Sequence, residues 1–188
     1  MDYSRVFAAC AAMMIGTGAQ AQDADWTGLY GGIQLDMATV DLSVPNGGAT
    51  TNDGNGLMYG LNGGYRRDLG QVVLGAAATL SFGNFDTPPV GGGSDASSFG
   101  SLATVGVEVG YDLGEVLVYG ELGHTWATRT DAGNTRRFEG GLQYGIGADF
   151  MLNDQIMIGG TVSRTDLDNF GGSDATVTTF GARAALRF

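Results

Sequence analysis

The sequence predicts an all-β chain, an eight-stranded antiparallel up-and-down transmembrane β-barrel. Apolar and polar residues alternate with a period of two in eight separate segments, the mark of strands whose two faces meet different surroundings. The connections between those segments are alternately short and long. The composition is wrong for a water-facing exterior. Of 188 residues 34 are glycine, 15 % are charged, and all nine basic residues are arginine, with no lysine. Glutamate, the other usual surface residue, occurs four times. Glycine at more than twice its average of about 7 % is not collagen, because no glycine repeats at every third place and there are only three prolines. Nine Phe, seven Tyr and two Trp argue against a disordered chain.

Residues 1–21 read as a cleavable secretory signal. Arg5 supplies the positive end, although Asp2 offsets it, and Val6 to Ile15 is an unbroken apolar run of ten. Gly16-Thr17-Gly18 ends the run, and Ala19-Gln20-Ala21 offers a small-x-small cleavage site. Ten residues are too few for a spanning helix, which needs about 20. The expected mature domain is therefore 22–188. Cys10, the only cysteine, falls in the signal. Phe7-Ala8-Ala9-Cys10 faintly resembles a lipoprotein box, but an apolar region ending there would be only four residues long. A chain without thiols has no disulfides and no cysteine-bound metal.

The strands follow in order. Segment 26–40 sets Leu29, Gly31, Ile33, Leu35 and Met37 against Tyr30, Gly32, Gln34 and Asp36. Segment 57–67 sets Leu57, Tyr59, Leu61 and Tyr65 against Gly60, Asn62, Gly64 and Arg66. Segment 71–82 has Val72, Leu74, Leu80 and Phe82 opposite Gly75, Ala77, Thr79 and Ser81. In 101–111, Val105, Val107, Val109 and Tyr111 alternate with Thr104, Gly106, Glu108 and Gly110. In 116–127, Val116, Val118, Leu122 and Trp126 alternate with Tyr119, Glu121, Gly123 and Thr125. Segment 138–150 is the clearest, with Phe138, Leu142, Tyr144, Ile146 and Phe150 against Glu139, Gly141, Gln143, Gly145, Gly147 and Asp149. Segment 156–165 places Ile156, Ile158 and Val162 opposite Met157, Gly159, Thr161 and Ser163. The last, 176–188, carries Phe180, Ala182, Ala184, Leu186 and Phe188 on one face. Ending on an aromatic, this face resembles the C-terminal assembly signal of bacterial outer-membrane barrels, carried by Phe180, Leu186 and Phe188.

Long connections cover 41–56, 83–100, 128–137 and 166–175; short ones lie at 68–70, 112–115 and 152–154. Short periplasmic turns, long external loops and an even strand count are the layout of an outer-membrane barrel.

Alternation alone does not say which face is outside. The polar face is built from Gly, Thr, Ser and a few charges, which suit the confined interior of eight strands and would make a poor solvated exterior. Aromatics on the apolar face (Tyr65, Phe82, Tyr111, Trp126, Phe138, Phe150, Phe180, Phe188) fall near strand ends, as in membrane-interface girdles. The middle of that face is almost uncharged; Arg164, in its register, lies at a strand's external end. An arginine at the midplane would cost about 2–4 kcal/mol.

The inward face carries Asp36, Glu108, Glu121, Glu139 and Asp149 with Arg66, Arg183 and Arg187. An unpaired buried charge is costly, so these groups are expected to pair. Two readings stay open: an ion-pair and hydrogen-bond network that plugs the barrel, and a narrow, weakly cation-preferring diffusion pore. Arginine favours the plug, since its planar fork holds carboxylates in pairs.

Asp25-Trp26-Thr27-Gly28-Leu29-Tyr30-Gly31-Gly32, Arg164-Thr165-Asp166 and the ending Ala184-Ala185-Leu186-Arg187-Phe188 resemble small bacterial outer-membrane proteins of the porin-like, opacity-type family. The resemblance implies the eight-stranded OmpA/OmpX architecture and a cell outer-membrane location. It names no activity, because such barrels serve as envelope structure, adhesins, narrow pores or lipid enzymes.

A lipid deacylase would place a serine two residues after a histidine; here His124-Thr125-Trp126 puts tryptophan in that slot, with Glu139 on the next strand. His124, the only histidine, belongs instead to the outward register. One histidine and no cysteine in the mature chain make a poor metal site, and Gly91-Gly92-Gly93 has no strand-turn-helix setting for phosphate. No enzymatic activity, no cofactor and no metal are expected. A net charge of −11 opposes nucleic acid. The expected partners are outer-membrane lipid, lipopolysaccharide through Arg129, Arg136 and Arg137, and the barrel-assembly machinery during insertion. A monomer is expected. The role expected is structural or one of surface interaction.

Overall fold

A computed structural model describes residues 25–43, 54–83, 86–87, 97–130, 136–170 and 173–188. The strands are β1 (Gly28–Ser43), β2 (Gly54–Asp68), β3 (Val72–Gly83), the two-residue β4 (Asp86–Thr87), β5 (Ser97–Asp112), β6 (Val116–Thr130), β7 (Arg136–Met151), β8 (Ile156–Phe170) and β9 (Ser173–Arg187). Each long strand pairs antiparallel with the next, β9 pairs with β1, and β3 pairs with β5, which closes an eight-stranded barrel. The short β4 lies against the end of β5, Asp86 opposite Ser98. Closure leaves no edge, so nearly every backbone group of a spanning strand can be bonded without water.

Each of the three short turns closes on an Asp or Asn side chain that accepts a backbone N–H. Asp68 Oδ1 accepts from Gly70 N at 2.7 Å while Leu69 N donates to Val72 O at 2.9 Å. Asp112, Gly114, Leu113 and Val116 repeat that pattern at 2.7 and 2.9 Å. Gly70 and Gly114 have φ of +105° and +89°, which glycine adopts without steric cost. In the third turn Asn153 Oδ1 accepts from Ile156 N at 2.8 Å.

Several strands run further toward the long-loop end than the side-chain pattern foretells. The β6–β7 ladder continues to Thr130 opposite Arg136, and β9 pairs with β1 up to Ser43 opposite Asp174. Residues 128–130, 136–137, 166–170 and 173–175 are thus strand, because backbone pairing continues after the alternation of side chains has lapsed. At the other end β1 begins at Gly28, and Trp26 stands outside the ladder.

The faces divide as their chemistry requires. Outward side chains include Ile33 and Ile146, 65 % and 68 % exposed, along with Leu35, Leu61, Val107, Val109 and Leu122. Such a continuous apolar exterior needs lipid. The outward aromatics Tyr65 and Tyr111 lie toward the short turns, and Phe82 and Trp126 toward the long loops. Tyr59 joins Phe82, their ring centroids 6.2 Å apart.

Inside, large side chains rest on glycines of the neighbouring strand. Tyr30 on β1 lies over Gly64 on β2, where an added Cβ would stand 2.7 Å from the tyrosine oxygen. Tyr119 on β6 lies over Gly147 on β7, where a Cβ would come within 2.3 Å of the ring. Gly31 faces outward, and a Cβ there meets nothing nearer than 4.0 Å. Replacing Gly147 with alanine is expected to cost about 1–3 kcal/mol through overpacking, while Gly31→Ala stays within about 0.5 kcal/mol of the parent. Urea unfolding of each variant in lipid vesicles measures both.

Candidate functional site: the barrel interior

The short-turn mouth is filled from below. Gly28, at φ +147°, turns the preceding residues under the barrel and carries Trp26 into the opening. Its indole Nε1 donates to Asp112 Oδ1 at 3.2 Å and to Gly114 O at 3.1 Å. Its backbone N donates to Asp68 Oδ2 at 3.3 Å. Trp26 is 1 % exposed and packs in a buried cluster with Val73, Leu117, Met151, Met157 and Ala185. Arg187 clamps the same segment, donating from Nη1 to Asp25 O and Thr27 O and from Nε to Asp154 O at 3.0 Å. Residues 25–27 are thereby tied to all three short turns. The Asp25 carboxylate accepts from Thr27 N at 2.8 Å, and that bond holds it below the usual carboxylate range.

Directly above Trp26 lies a cluster of four charges. Arg66 Nε donates to Glu108 Oε2 at 2.8 Å and Nη1 to Asp149 Oδ2 at 2.6 Å. Arg183 Nε donates to Asp149 Oδ1 at 2.8 Å, with a second bond from Nη2 to Oδ2, and Nη1 lies 3.8 Å from Glu108 Oε1. Arg66 and Asp149 are each 1 % exposed. The Tyr30 hydroxyl donates to Glu108 Oε1 at 3.2 Å. The Arg66 guanidinium carbon is 4.8 Å from the Tyr30 ring centroid and 5.0 Å from that of Tyr119; for Arg183 the distances are 5.6 and 5.0 Å. Two cations, two anions and two rings thus fill one level of the lumen. Among the described residues, Arg66 Nη2 and the Tyr119 hydroxyl are buried without a hydrogen-bond partner.

A polar tier follows toward the long loops. Gln34 Nε2 donates to Asp36 Oδ2 at 2.6 Å and to Ser81 Oγ at 3.2 Å, and Asn62 Nδ2 donates to Gln34 Oε1 at 3.3 Å. Gln143 accepts from Thr104 and Thr125, both at 3.0 Å, and donates to Glu121 Oε1 at 3.2 Å. A cavity of about 60 Å³ lies in this tier, bordered by Asp36, Glu121 and Arg183. It has room for a few waters at roughly 10–15 Å³ each.

The eight expected interior charges therefore separate. Arg66, Glu108, Asp149 and Arg183 meet. Asp36 and Glu121 face inward but are held by amides and hydroxyls in the tier above. Arg187 is not part of the central cluster; it lies at the mouth, where backbone carbonyls take its donors. The Glu139 side chain and those of Arg129, Arg136 and Arg137 lie outside the described residues, although the β6–β7 ladder sets Arg129 opposite Arg137. Phe180, Leu186 and Phe188 all face outward.

Sequence reasoning passed over Trp26 and the apolar base, because Trp26 precedes the ladder and Met157 sits among polar neighbours. It also gave no role to Tyr30 and Tyr119, whose signal was present: a large aromatic on a face otherwise made of glycine and small polar residues. On the outer wall, His124 stands edge-on to Trp126, centroids 4.7 Å apart. Arg164 pairs there with Asp166 at 3.1 Å.

The family model for the outer membrane protein beta-barrel domain matches residues 7–188. No curated protein matches the sequence. Among solved structures, the barrel is similar to Ail, the attachment invasion locus protein of Yersinia pestis, crystallised with the heparin analogue sucrose octasulfate. The TM-score is 0.54 at 21 % identity, covering 86 % of this chain and 99 % of Ail. It is similar to Neisserial surface protein A, with TM-score 0.55, 16 % identity and coverage of 86 % and 98 %. The outer membrane protein OprG from Pseudomonas aeruginosa gives TM-score 0.50, 16 % identity and coverage of 88 % and 98 %. At these identities the likeness to solved structures is one of fold. With the family model spanning nearly the whole sequence, the chain belongs to the outer membrane protein beta-barrel domain family.

Proposed function

We propose that this protein is an integral barrel of the cell outer membrane with a structural or surface-interaction role, and that its interior is a plug. The observation that carries this reading is the two-level obstruction of the lumen, Trp26 across the short-turn mouth and the Arg66–Glu108–Asp149–Arg183 cluster above it. Residues 1–21 serve as the export signal in this reading. The outward face of β9, with Phe180, Leu186 and Phe188, is what the assembly machinery engages. Arg129, Arg136 and Arg137, brought to one end of the β6–β7 hairpin, are the contacts offered to lipopolysaccharide phosphates. No catalysis is assigned: the single histidine faces outward beside Trp126, and among the described residues no three potential ligands gather for a metal.

One observation favours the second reading, a narrow cation-preferring pore. Asp36 and Glu121 border the 60 Å³ cavity with amide and hydroxyl partners and, among the described residues, no arginine bonded to either. Planar-bilayer recording of the refolded protein separates the two. The plug predicts no steady openings. Steady openings that shrink in Glu121→Gln would establish the pore instead.

The plug also predicts a large stability effect at its centre. Asp149→Asn keeps the shape but leaves two guanidinium groups facing one carboxylate. Breaking a buried pair from one side costs about 3–5 kcal/mol. Urea titration followed by heat-modifiable gel migration is expected to show that loss.

A further inference from the structure

One seam of the barrel differs from the others. Every other pair of neighbouring strands is also joined by a turn or loop, but the β1–β9 seam pairs the first strand with the last and has no such segment. Only its ladder holds it, from Tyr30 opposite Arg187 to Ser43 opposite Asp174. Within hydrocarbon, a parted seam leaves backbone N–H and C=O groups that lipid cannot satisfy. Parting therefore starts at an end of the seam, where water reaches. At the short-turn end, residues 25–27 cross it as a strap. Arg187, on β9, donates from Nη1 to Asp25 O and Thr27 O, both ahead of β1, and Phe188 N donates to Leu29 O at 2.8 Å. Gly28 carries the crossing, since a Cβ there would stand 2.7 Å from the Phe188 main-chain oxygen. The strap then runs on across the mouth. Thr27 Oγ1 accepts from Asp68 N at 3.1 Å in the β2–β3 turn, and the Trp26 indole reaches Asp112 and Gly114 in the β5–β6 turn. In the closed strand order that turn is the one directly opposite the β1–β9 seam.

We propose that the strap is a latch on the β1–β9 seam. Docked, it pins β1 to β9 and anchors both to the far side of the mouth. Undocked, it lets the seam part from the short-turn end. The latch has nothing to close on until the barrel is complete: Arg187 has to lie beside β1, and the β5–β6 turn has to face the seam across a closed ring. Docking therefore follows strand closure, and the bonds of the strap are absent from the transition state of folding. Interactions of that kind slow unfolding and leave the folding rate nearly unchanged. This role is separate from the obstruction of the lumen by the same tryptophan, because it acts on the seam and holds whether or not the lumen conducts.

Folding and unfolding rates of residues 22–188 in lipid vesicles test this, for Trp26→Ala and for the milder Trp26→Phe, which keeps a ring but loses the indole N–H. Each is measured in three backgrounds. One is the parent, which has no cysteine in residues 22–188. The second carries Ile33→Cys and Ala184→Cys, cross-linked over the β1–β9 seam, where these residues are paired. The third carries Val107→Cys and Leu122→Cys, cross-linked in the same way over β5 and β6. In the parent, Trp26→Ala is expected to speed unfolding at least about tenfold, from the loss of a buried indole, and to change the folding rate less than about twofold. Trp26→Phe is expected to act in the same direction and less, and it supplies the reading should Trp26→Ala not fold. The β1–β9 cross-link is expected to abolish the acceleration, and the β5–β6 cross-link to leave it in full. An acceleration that survives the β1–β9 cross-link, equal suppression by both cross-links, unchanged unfolding, or an effect carried by slower folding would overturn the proposal.

Discussion

A guanidinium held away from water inside a closed barrel has to meet carboxylates, and this constraint organises the rest of the molecule. The low-dielectric surroundings strengthen attraction and desolvation together, so the charges are tolerable only as a complete set. Arg66, Glu108, Asp149 and Arg183 come from β2, β5, β7 and β9, and the Tyr30 and Tyr119 rings come from β1 and β6. Six of the eight barrel strands therefore meet at one level through side chains. The backbone ladder alone joins each strand only to its neighbours. The central cluster joins them across the lumen.

The glycine content follows from that arrangement. Eight strands enclose little space, and two arginines and two tyrosines occupy one level of it. The strands beside them must give way, as Gly64 does for Tyr30 and Gly147 for Tyr119. Outward glycine has a different consequence: at Gly120 it indents the wall that faces lipid. The scarcity of charge has the same origin, because the large surface is the one turned to hydrocarbon. Charge is then confined to the lumen, the turns and the rims.

Much of this was legible from period two alone, since a closed sheet assigns alternate residues to opposite sides. Residues 57–67 placed Arg66 inward, and 138–150 placed Asp149 inward, so the members of the cluster could be named before their geometry was known. Their partners could not. Arg187 shares the alternation of Arg183 but stands four residues further on, level with the mouth, where carbonyls of the entering chain are nearer than any carboxylate. Asp36 and Glu121 share that inward face, yet amides and hydroxyls hold them instead of the arginines. Tilt and stagger decide such levels, and the side-chain pattern of a single strand carries neither. Trp26 was illegible for another reason: it belongs to no strand, and its place is set by the turn at Gly28 and by acceptors on two distant hairpins.

The buried charges stabilise the barrel only together. A thermodynamic cycle of Arg66→Met, Glu108→Gln and the double variant, measured by reversible urea unfolding in vesicles, tests this most directly. Each single change is expected to cost about 3–5 kcal/mol, because it strands a buried partner. The double variant is expected to fall well short of their sum, with a coupling of at least about 1.5 kcal/mol. Additive losses, with no coupling, would contradict the account.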